Sequence, residues 1–323
     1  MVAPRNRRPS GKKRPADPRS QKMTRRGRKT LPHLLSYLLL RTIVAIVSAP
    51  PRPLARRLGR LLGRLVFLLG IRRAVVLDNL RVAFSERSES WRSRTALRCY
   101  EHFGEVLADL AGLNRWSDRE LRERTAYENR PLLEEAIGRG RGVVVATGHI
   151  GGIDAGPARL AFDGHQVLSV FQGVHNPYVE EFITRIRSCR GATVARRGIG
   201  MRKAFSVLKK KGLVMILADQ DAGPNGLFLP FFGRDASTLI GPAELALRTG
   251  AVLLVGFVIL EKNTYRLVAD RIIENSSLER MMQEYNEALE EMIRRYPEQY
   301  FWLHKRWKTP PPNRRRPSRS AAE

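Results

Sequence analysis

The sequence has little cysteine, few acidic residues beside its basic ones, and no long uninterrupted apolar run. Cys99 and Cys189 are the two cysteines among 323 residues, and they form no Cys-x-x-Cys pair. This scarcity excludes a disulfide framework and a cysteine-rich zinc site, and it is typical of a reducing compartment. Either thiol could carry an acyl group, but a single cysteine is more commonly a small buried residue.

Acidic residues number 31 against 58 Lys and Arg, which gives a formal net charge of +27. The excess lies at the two ends, because residues 1–73 contain a single acid, Asp17, and residues 305–323 contain only Glu323. The central part of the chain is almost neutral. Such a distribution favours attraction to an anionic surface and argues against a nucleic-acid site across the fold.

The most apolar stretch, residues 34–49, is interrupted by Arg41 and is short for a bilayer span, which needs about 20 residues. Arginines and leucines then alternate at helical spacing through residues 52–73, as in a helix that lies in a headgroup layer. We expect residues 1–30 to be a disordered basic tail and residues 31–73 to be a helical membrane anchor, in plane or as a hairpin. The alternative is a core helix with a solvated arginine face.

Apolar runs typical of strands alternate with helical segments from residue 143 onward. This alternation predicts an α/β fold with a mixed, largely parallel sheet flanked by helices. One domain is expected over residues 74–308, helical through residue 127, followed by a disordered basic tail over 309–323. Predicted strands cover Val143–Thr147, Gln166–Phe171, Ala192–Ala195, Leu213–Leu217, Val252–Ile259 and Tyr265–Ile272, and a loop is predicted over Asp219–Gly241.

The first predicted strand is followed by a His149-x4-Asp154 pattern that contains Gly151 and Gly152. Ligands of parallel sheets bind at the carboxyl ends of strands. If His149 lies in the loop and Asp154 in the first turn of the next helix, the carboxylate can hold one imidazole nitrogen while the other acts as a general base. The alternative is a capping histidine beside an ordinary first-turn acid.

A second polar group, Asp219-Gln220-Asp221, follows the strand predicted at residues 213–217. Phenylalanines and Thr238 come after it, before the next predicted helix. Two acids could bind a metal only with further ligands, and the sequence supplies no obvious set. The alternative is a turn-rich connector closed by a hydrophobic plug.

Taken together, these residues resemble the glycerolipid and lysophospholipid acyltransferase superfamily, and in particular its bacterial lipid A biosynthesis (lauroyl/myristoyl) branch. The resemblance covers roughly residues 31–310. Beyond His149-x4-Asp154, it rests on Asn79-Leu80, Asn176-Pro177 with Arg185 and Arg187, Asp219–Gly223, Phe231-Phe232-Gly233 with Thr238, and Tyr300 with Trp302–Lys308.

The resemblance implies an O-acyltransferase at the cytoplasmic face of the inner membrane, with no metal or other cofactor. It implies His149 as the general base, Asp154 as its orienting acid, and Arg187 as an oxyanion or substrate contact. Backbone N–H groups of Gly151 and Gly152 are further candidates for oxyanion donors. Residues that would shape the acceptor site are Asp219, Asp221, Phe232 and Thr238.

The expected substrates are an acyl thioester, with acyl carrier protein favoured over acyl-CoA, and a lipid A-like glycolipid. Asp154 stands where lipid A enzymes commonly have glutamate, so the acceptor stays open at this point. The first alternative is a lysophospholipid or phosphatidylinositol-mannoside acyltransferase that uses acyl-CoA. A further alternative is a basic module that binds membranes or nucleic acid.

Overall fold

The computed structural model describes residues 31–312 except 174, 189 and 197. Cys189, the basic tail expected at residues 1–30 and most of the expected C-terminal tail therefore lie outside the described residues. The α-helices are α1 (Leu31–Ser48), α2 (Arg52–Leu68), α3 (Arg73–Ala83), α4 (Glu89–Gly112), α5 (Asp118–Arg124), α6 (Arg130–Gly138), α7 (Ala155–Phe162), α8 (Pro177–Arg187), α9 (Ile199–Lys209), α10 (Gly241–Thr249) and α11 (Leu278–Arg295). The strands are β1 (Thr125–Glu128), β2 (Val143–Thr147), β3 (Val167–Phe171), β4 (Thr193–Arg196), β5 (Leu213–Leu217), β6 (Leu227–Phe231), β7 (Arg234–Thr238), β8 (Val252–Glu261) and β9 (Thr264–Ile273).

Seven strands form one sheet in the order β1-β9-β8-β2-β5-β3-β4. The five from β8 to β4 run parallel, whereas β9 is antiparallel to β8 and β1 is parallel to β9. Every residue of β2 is buried because helices cover both faces of the sheet, which suits its run of β-branched valines. The predicted α/β fold with a mixed, largely parallel sheet is confirmed.

Alternate residues of β2 point into two separate cores. Val144 and Ala146 belong to a cluster that includes Leu289 of α11. Val143 and Val145 belong to a second cluster on the opposite face, which includes Ala158 of α7. The sheet is therefore held between two helical layers, and its strand ends are the places where the chain opens to solvent.

The segment predicted as a loop over Asp219–Gly241 contains a hairpin formed by β6 and β7. Phe231 pairs with Arg234 across Phe232 and Gly233, whose φ angles are 51° and 69°. Positive φ at both central residues is the geometry of a type I′ turn, which matches the twist of the paired strands. The prediction of a loop was wrong because Pro230 and adjacent charges interrupt the alternation that marks a strand.

Helix α2 packs against α4 through glycines. A Cβ on Gly59 would lie 2.3 Å from the carbonyl oxygen of Gly104, and a Cβ on Gly63 would lie 2.1 Å from that of Tyr100. No larger residue fits at either position without moving a backbone. The two helices therefore touch along their main chains.

The arginines at the start of α2 point toward α4, and its leucines point outward. Arg52 donates to both oxygens of Asp109 at 2.8 Å, and buried Arg56 lies 2.6 Å from Glu105. The alternative of a core helix with a solvated arginine face does not hold for Arg52 and Arg56, which turn toward α4, whereas Arg57 and Arg60 remain exposed. The exposed leucines of α2 are Leu54, Leu61, Leu62, Leu65 and Leu68.

Helix α1 is, among the described helices, the one long and apolar enough to cross a membrane. It buries only Val47, and apolar residues such as Leu39 are exposed along its length. Asn176, the N-cap of α8, donates from Nδ2 to the carbonyl of His33 and to the hydroxyl of Ser36. The first half of α1 is thus attached to the helix that carries Arg187.

Candidate active site

The carboxyl ends of β2 and β5 place His149 beside Asp219. Thr147 is paired with Leu217 in the sheet, so the residues two positions further along lie next to each other. His149 Nδ1 is 2.8 Å from Asp219 Oδ1, and the backbone N–H of His149 donates to Oδ2 at 2.9 Å. An ionised carboxylate only accepts, so Nδ1 carries the proton and Nε2 is left as the basic nitrogen.

Asp219 is almost fully enclosed, with 2 % of its side chain exposed. Burial by itself would raise the pKa of Asp219, but the charge of His149 and its two hydrogen bonds act in the opposite direction. The net result is a pKa of Asp219 below its ordinary value. The carboxylate is therefore ionised and suited to holding the imidazole in one orientation.

The structure corrects the expected partner of His149. Asp154 lies directly before α7, and its Oδ1 is 2.7 Å from Arg187 Nε at the end of α8. Among the described residues, no hydrogen bond joins Asp154 to His149. The reason is the strand order: β5 is adjacent to β2 and brings Asp219 directly to the imidazole, whereas the chain at Asp154 has already turned toward α8.

The Asp154–Arg187 pair is held by charge more than by aligned hydrogen bonds. Arg187 donates from one terminal nitrogen to Asp154 Oδ2 at 3.4 Å, while its Nε–H has no aligned acceptor among the described residues. Side-chain exposure is 27 % for Arg187 and 16 % for Asp154. The guanidinium therefore keeps donors for another anionic or polar group.

Gly151 and Gly152 are required by packing. A Cβ on Gly151 would lie 1.9 Å from the carbonyl oxygen of Val258, and one on Gly152 would lie 2.0 Å from the ring of Tyr265. Their N–H groups donate to the carbonyls of Gln299 and Val258 at 2.9 and 3.0 Å. Both amides are engaged, so they are not the oxyanion donors that we expected, and Arg187 is the remaining candidate.

His149 and Arg187 line the same cleft, which has a volume of about 220 Å³. The imidazole is 27 % exposed and reaches this space. An apolar slot beside a basic nitrogen and a guanidinium can accommodate a hydrocarbon chain with a reactive carbonyl at its end. The apolar lining comes from Val170, Phe171, Met201, Ile216, Leu217, Leu239 and Pro242, and the polar lining includes Gln172 and Gln220.

Phe301 supports the imidazole from the C-terminal segment, although no sequence motif had marked it. Its ring centroid lies 6.0 Å from that of His149, and its N–H donates to the carbonyl of His149 at 2.8 Å. Its position between Tyr300 and Trp302, in a segment already recognised from the resemblance, was the available signal.

Asp221 does not reach the cleft that His149 lines; it holds the C-terminal segment. Its N–H donates to His304 Nε2 at 2.9 Å, and its Oδ2 accepts from the hydroxyl of Thr309 at 2.9 Å. Burial lowers the pKa of His304, and the charges of Asp219 and Asp221 oppose that shift only in part. A neutral imidazole is the form that can accept from the Asp221 amide.

Phe232 and Thr238, expected at the acceptor site, lie in the packed interior. Phe232 contacts the rings of Phe84 and Trp302 with centroids 5.5 and 6.3 Å apart. Thr238 is fully buried, and its hydroxyl oxygen accepts from Arg306 at 2.9 Å. The structure does not bring either residue to the cleft beside His149.

Cys99 is buried and is not suited to act as a nucleophile. Its thiol donates to the carbonyl of Tyr300 at 3.3 Å, and burial raises the pKa of Cys99 to about 12. A thiol with this pKa is protonated at neutral pH and is a poor nucleophile. The described residues contain no group of three or more His, Cys, Asp or Glu that could hold a metal.

Known proteins resemble this chain over most of its length. A sequence profile described as "Bacterial lipid A biosynthesis acyltransferase" matches residues 25–309. The "Lipid A biosynthesis lauroyltransferase" of Escherichia coli (strain K12) is 29% identical over 280 residues, which cover 83% of this chain and 90% of that one. The "Lipid A biosynthesis myristoyltransferase" of the same organism is 26% identical over 294 residues, covering 87% and 89%.

Proposed function

Because the chain belongs to the bacterial lipid A biosynthesis acyltransferase family and is an acyltransferase, we propose that it moves a fatty acyl chain from an acyl thioester to a hydroxyl of a lipid A-like glycolipid. The observation that carries this proposal is the His149–Asp219 pair at the edge of an apolar cleft. The names of the two relatives, both transferases of lipid A biosynthesis, support lipid A as the acceptor class.

In the proposed reaction His149 is the general base. Its Nε2 takes the proton of the acceptor hydroxyl while that oxygen attacks the thioester carbonyl and forms a tetrahedral intermediate. The intermediate collapses by breaking the C–S bond, and the imidazolium returns its proton to the departing thiolate. Asp219 keeps the imidazole in the required tautomer and stabilises its charged form.

Arg187 is the proposed partner of the oxyanion. A guanidinium beside the imidazole can stabilise the negative charge that develops on the carbonyl oxygen. Asp154 acts in this proposal as a positioning residue, because its carboxylate holds Arg187 in the cleft.

We favour acyl carrier protein as the donor over acyl-CoA. The chain has a net charge of +27, and a basic surface attracts an acidic carrier and accelerates its encounter. The competing donor, acyl-CoA, carries its negative charge on a small molecule and would depend less on the protein's long-range field.

Residues 31–73 are proposed to hold the enzyme on the cytoplasmic face of the inner membrane, with residues 74–308 as the acyltransferase domain. The exposed apolar residues of α1 and the outward leucines of α2 support this division. Arg57 and Arg60, exposed on α2 among those leucines, suit anionic headgroups.

The test is acylation by purified wild-type protein and His149→Ala, with acyl carrier protein or CoA as the thioester carrier. The acceptors are a lipid A precursor, lysophosphatidate and mannosylated phosphatidylinositol, and products are identified by mass spectrometry. We expect wild type to acylate the lipid A precursor, and His149→Ala to lose about 10²–10⁴-fold in rate, the contribution of a general base.

The matched control is His165→Ala, since His165 precedes β3 and lies at the opposite edge of the sheet from His149. This variant should keep wild-type activity. Acylation of only a non-saccharide lipid would overturn the acceptor, and a folded His149→Ala protein with full activity would overturn the mechanism.

A further inference from the structure

A second cleft, separate from the one that His149 lines, opens where α1 ends and α2 begins. Its volume is about 450 Å³, and it shares no lining residue with the His149 cleft. The turn Ser48–Pro51 forms one side of it, and the short segment between α4 and α5 forms another. Three arginines line it: Arg52, Arg115 and Arg124.

Trp116 contacts two of these arginines. The guanidinium carbons of Arg52 and Arg124 are 5.3 and 4.8 Å from the centroid of its ring. The residue is 6 % exposed, and its Nε1–H has no hydrogen-bond acceptor among the described residues. A Cβ placed on Gly112 would lie 3.8 Å from this nitrogen and 3.8 Å from a terminal nitrogen of Arg115, so a neutral and a charged donor lie on the same side of the cleft.

The two carboxylates that line the cleft are already occupied. Asp109 accepts two hydrogen bonds from Arg52 and one from the hydroxyl of Tyr265 at 2.7 Å. Glu120 accepts from the N–H and the hydroxyl of Ser117 with one oxygen, and its other oxygen pairs with Arg124. Neither has a free oxygen to neutralise a further arginine.

Arg115 has no carboxylate partner among the described residues; its guanidinium donates to the carbonyl of Ser48. Burial lowers the pKa of Arg124, and the positive charge of Arg52 acts in the same direction. The cleft therefore has an excess of positive charge, which an anion would relieve. Guanidinium groups favour phosphate among anions because their N–H donors match its oxygens.

The surface beside the cleft is apolar. Ile46 and Leu54, which flank the turn in sequence, are 61 % and 47 % exposed. A cationic cleft bordered by exposed hydrocarbon matches the boundary of a membrane, where phosphates lie next to acyl chains. A free phosphate would gain nothing from this apolar border.

We propose that this cleft binds the phosphate group of a membrane lipid headgroup, with Arg115 and Arg124 as charged donors and the Trp116 N–H as a neutral donor. The site is independent of the acyl-transfer chemistry, because it shares no residue with the His149 cleft. It would hold the junction of α1 and α2 at the headgroup layer.

The test is calorimetric titration of the full chain in neutral detergent with two probes. One is dihexanoyl phosphatidylglycerol below its micellar concentration, and the other is inorganic phosphate. We expect Arg115→Gln to weaken lipid binding about tenfold and Trp116→Phe about threefold, as for loss of a charged and a neutral hydrogen bond. Trp116→Phe keeps an aromatic ring beside the arginines, and unchanged melting temperatures would exclude misfolding.

Arg119→Gln is the matched control, since Arg119 is on α5 but outside the cleft, with 85 % of its side chain exposed. It should bind as wild type, as should His149→Ala, which separates this proposal from the catalytic one. Binding of inorganic phosphate without the lipid would overturn the lipid source. Equal affinity of the lipid for wild type, Arg115→Gln and Trp116→Phe would overturn the site.

Discussion

The candidate site contains two pairs, each of an acid with a nitrogen-bearing side chain, and the two pairs differ in burial. At the ends of β2 and β5, Asp219 is 2 % exposed and grips His149 with both oxygens. Where α7 meets α8, Asp154 is 16 % exposed and holds Arg187 mainly by charge. The enclosed pair fixes a tautomer, whereas the more open pair only restricts where a guanidinium lies.

This difference has an energetic consequence. Removing one partner of an enclosed pair that is joined by two hydrogen bonds leaves a buried donor without an acceptor. The folded protein is then destabilised, and the remaining side chain no longer has a fixed orientation. Removing one partner of a partly exposed pair lets water take its place. Substitutions in the His149–Asp219 pair should therefore lower the reaction rate far more than substitutions in the Asp154–Arg187 pair.

The largest effect is expected for Asp219→Asn. His149 presents two donors to this position, and an amide offers only one acceptor oxygen, so the imidazole loses its fixed tautomer. We expect kcat to fall about 10²–10⁴-fold, the range given by a displaced general base. Steady-state kinetics with the lipid A precursor measure kcat, with Asp235→Asn, at an exposed position of β7, as the control. A loss below threefold would contradict the assignment.

A smaller effect is expected for Asp154→Asn and Arg187→Gln. Each should lower kcat/KM about tenfold, or about 1.4 kcal/mol, because the charge opposite the developing oxyanion is displaced or lost. Since both act through one guanidinium, the double variant should resemble Arg187→Gln alone. Additive losses in the double-mutant cycle would show that Asp154 acts through some other group.

The next prediction concerns acid stability. The pKa of Asp219 is lowered in the folded protein, so its contribution to the free energy of unfolding is present above the ordinary aspartate value of about 3.9 and is lost as pH falls through the folded-state pKa. Asp219→Asn and His149→Ala should both reduce the fall of the free energy of unfolding at acid pH, as measured by urea titrations at a series of pH values. Retention of the wild-type slope in His149→Ala would show that the imidazole is not the cause.

The smallest effect on catalysis is expected for Thr238→Val. The substitution removes an acceptor from buried Arg306 and should lower the free energy of unfolding by about 1–3 kcal/mol. The kcat of the folded enzyme and its KM for the acceptor should stay within about twofold of wild type. A raised KM at unchanged stability would return Thr238 to the acceptor site.

Much of the α/β body follows directly from local sequence. The bounds of β2, β5 and α11 are those predicted, because uninterrupted apolar runs mark the two strands and Pro297 follows the end of the helix. Strand β1 was missed within a region predicted to be helical, since four residues are too few to show the alternation of apolar and polar side chains that marks a strand.

The partner of His149 could not be obtained from local pattern. Both strand ends were identified, but the contact between His149 and Asp219 depends on β5 lying next to β2, which is a property of the whole sheet. The turn of Arg52 and Arg56 toward α4 was not predicted for a related reason. Helical spacing defines two faces, and only the fit of Gly59 against Gly104 decides which face turns inward.

The contact between Gly59 and Gly104 also fixes the distance between α2 and α4. Side chains can adopt new rotamers, but two main chains in contact cannot adjust in this way. The exposed leucines of α2 are therefore held at a constant distance from the α/β body. On the proposed membrane orientation, that height determines how deep the cleft of His149 sits below the lipid surface. A methyl group added at Gly59 would therefore change the distance between the His149 cleft and the lipid surface, although it contacts none of the reacting atoms.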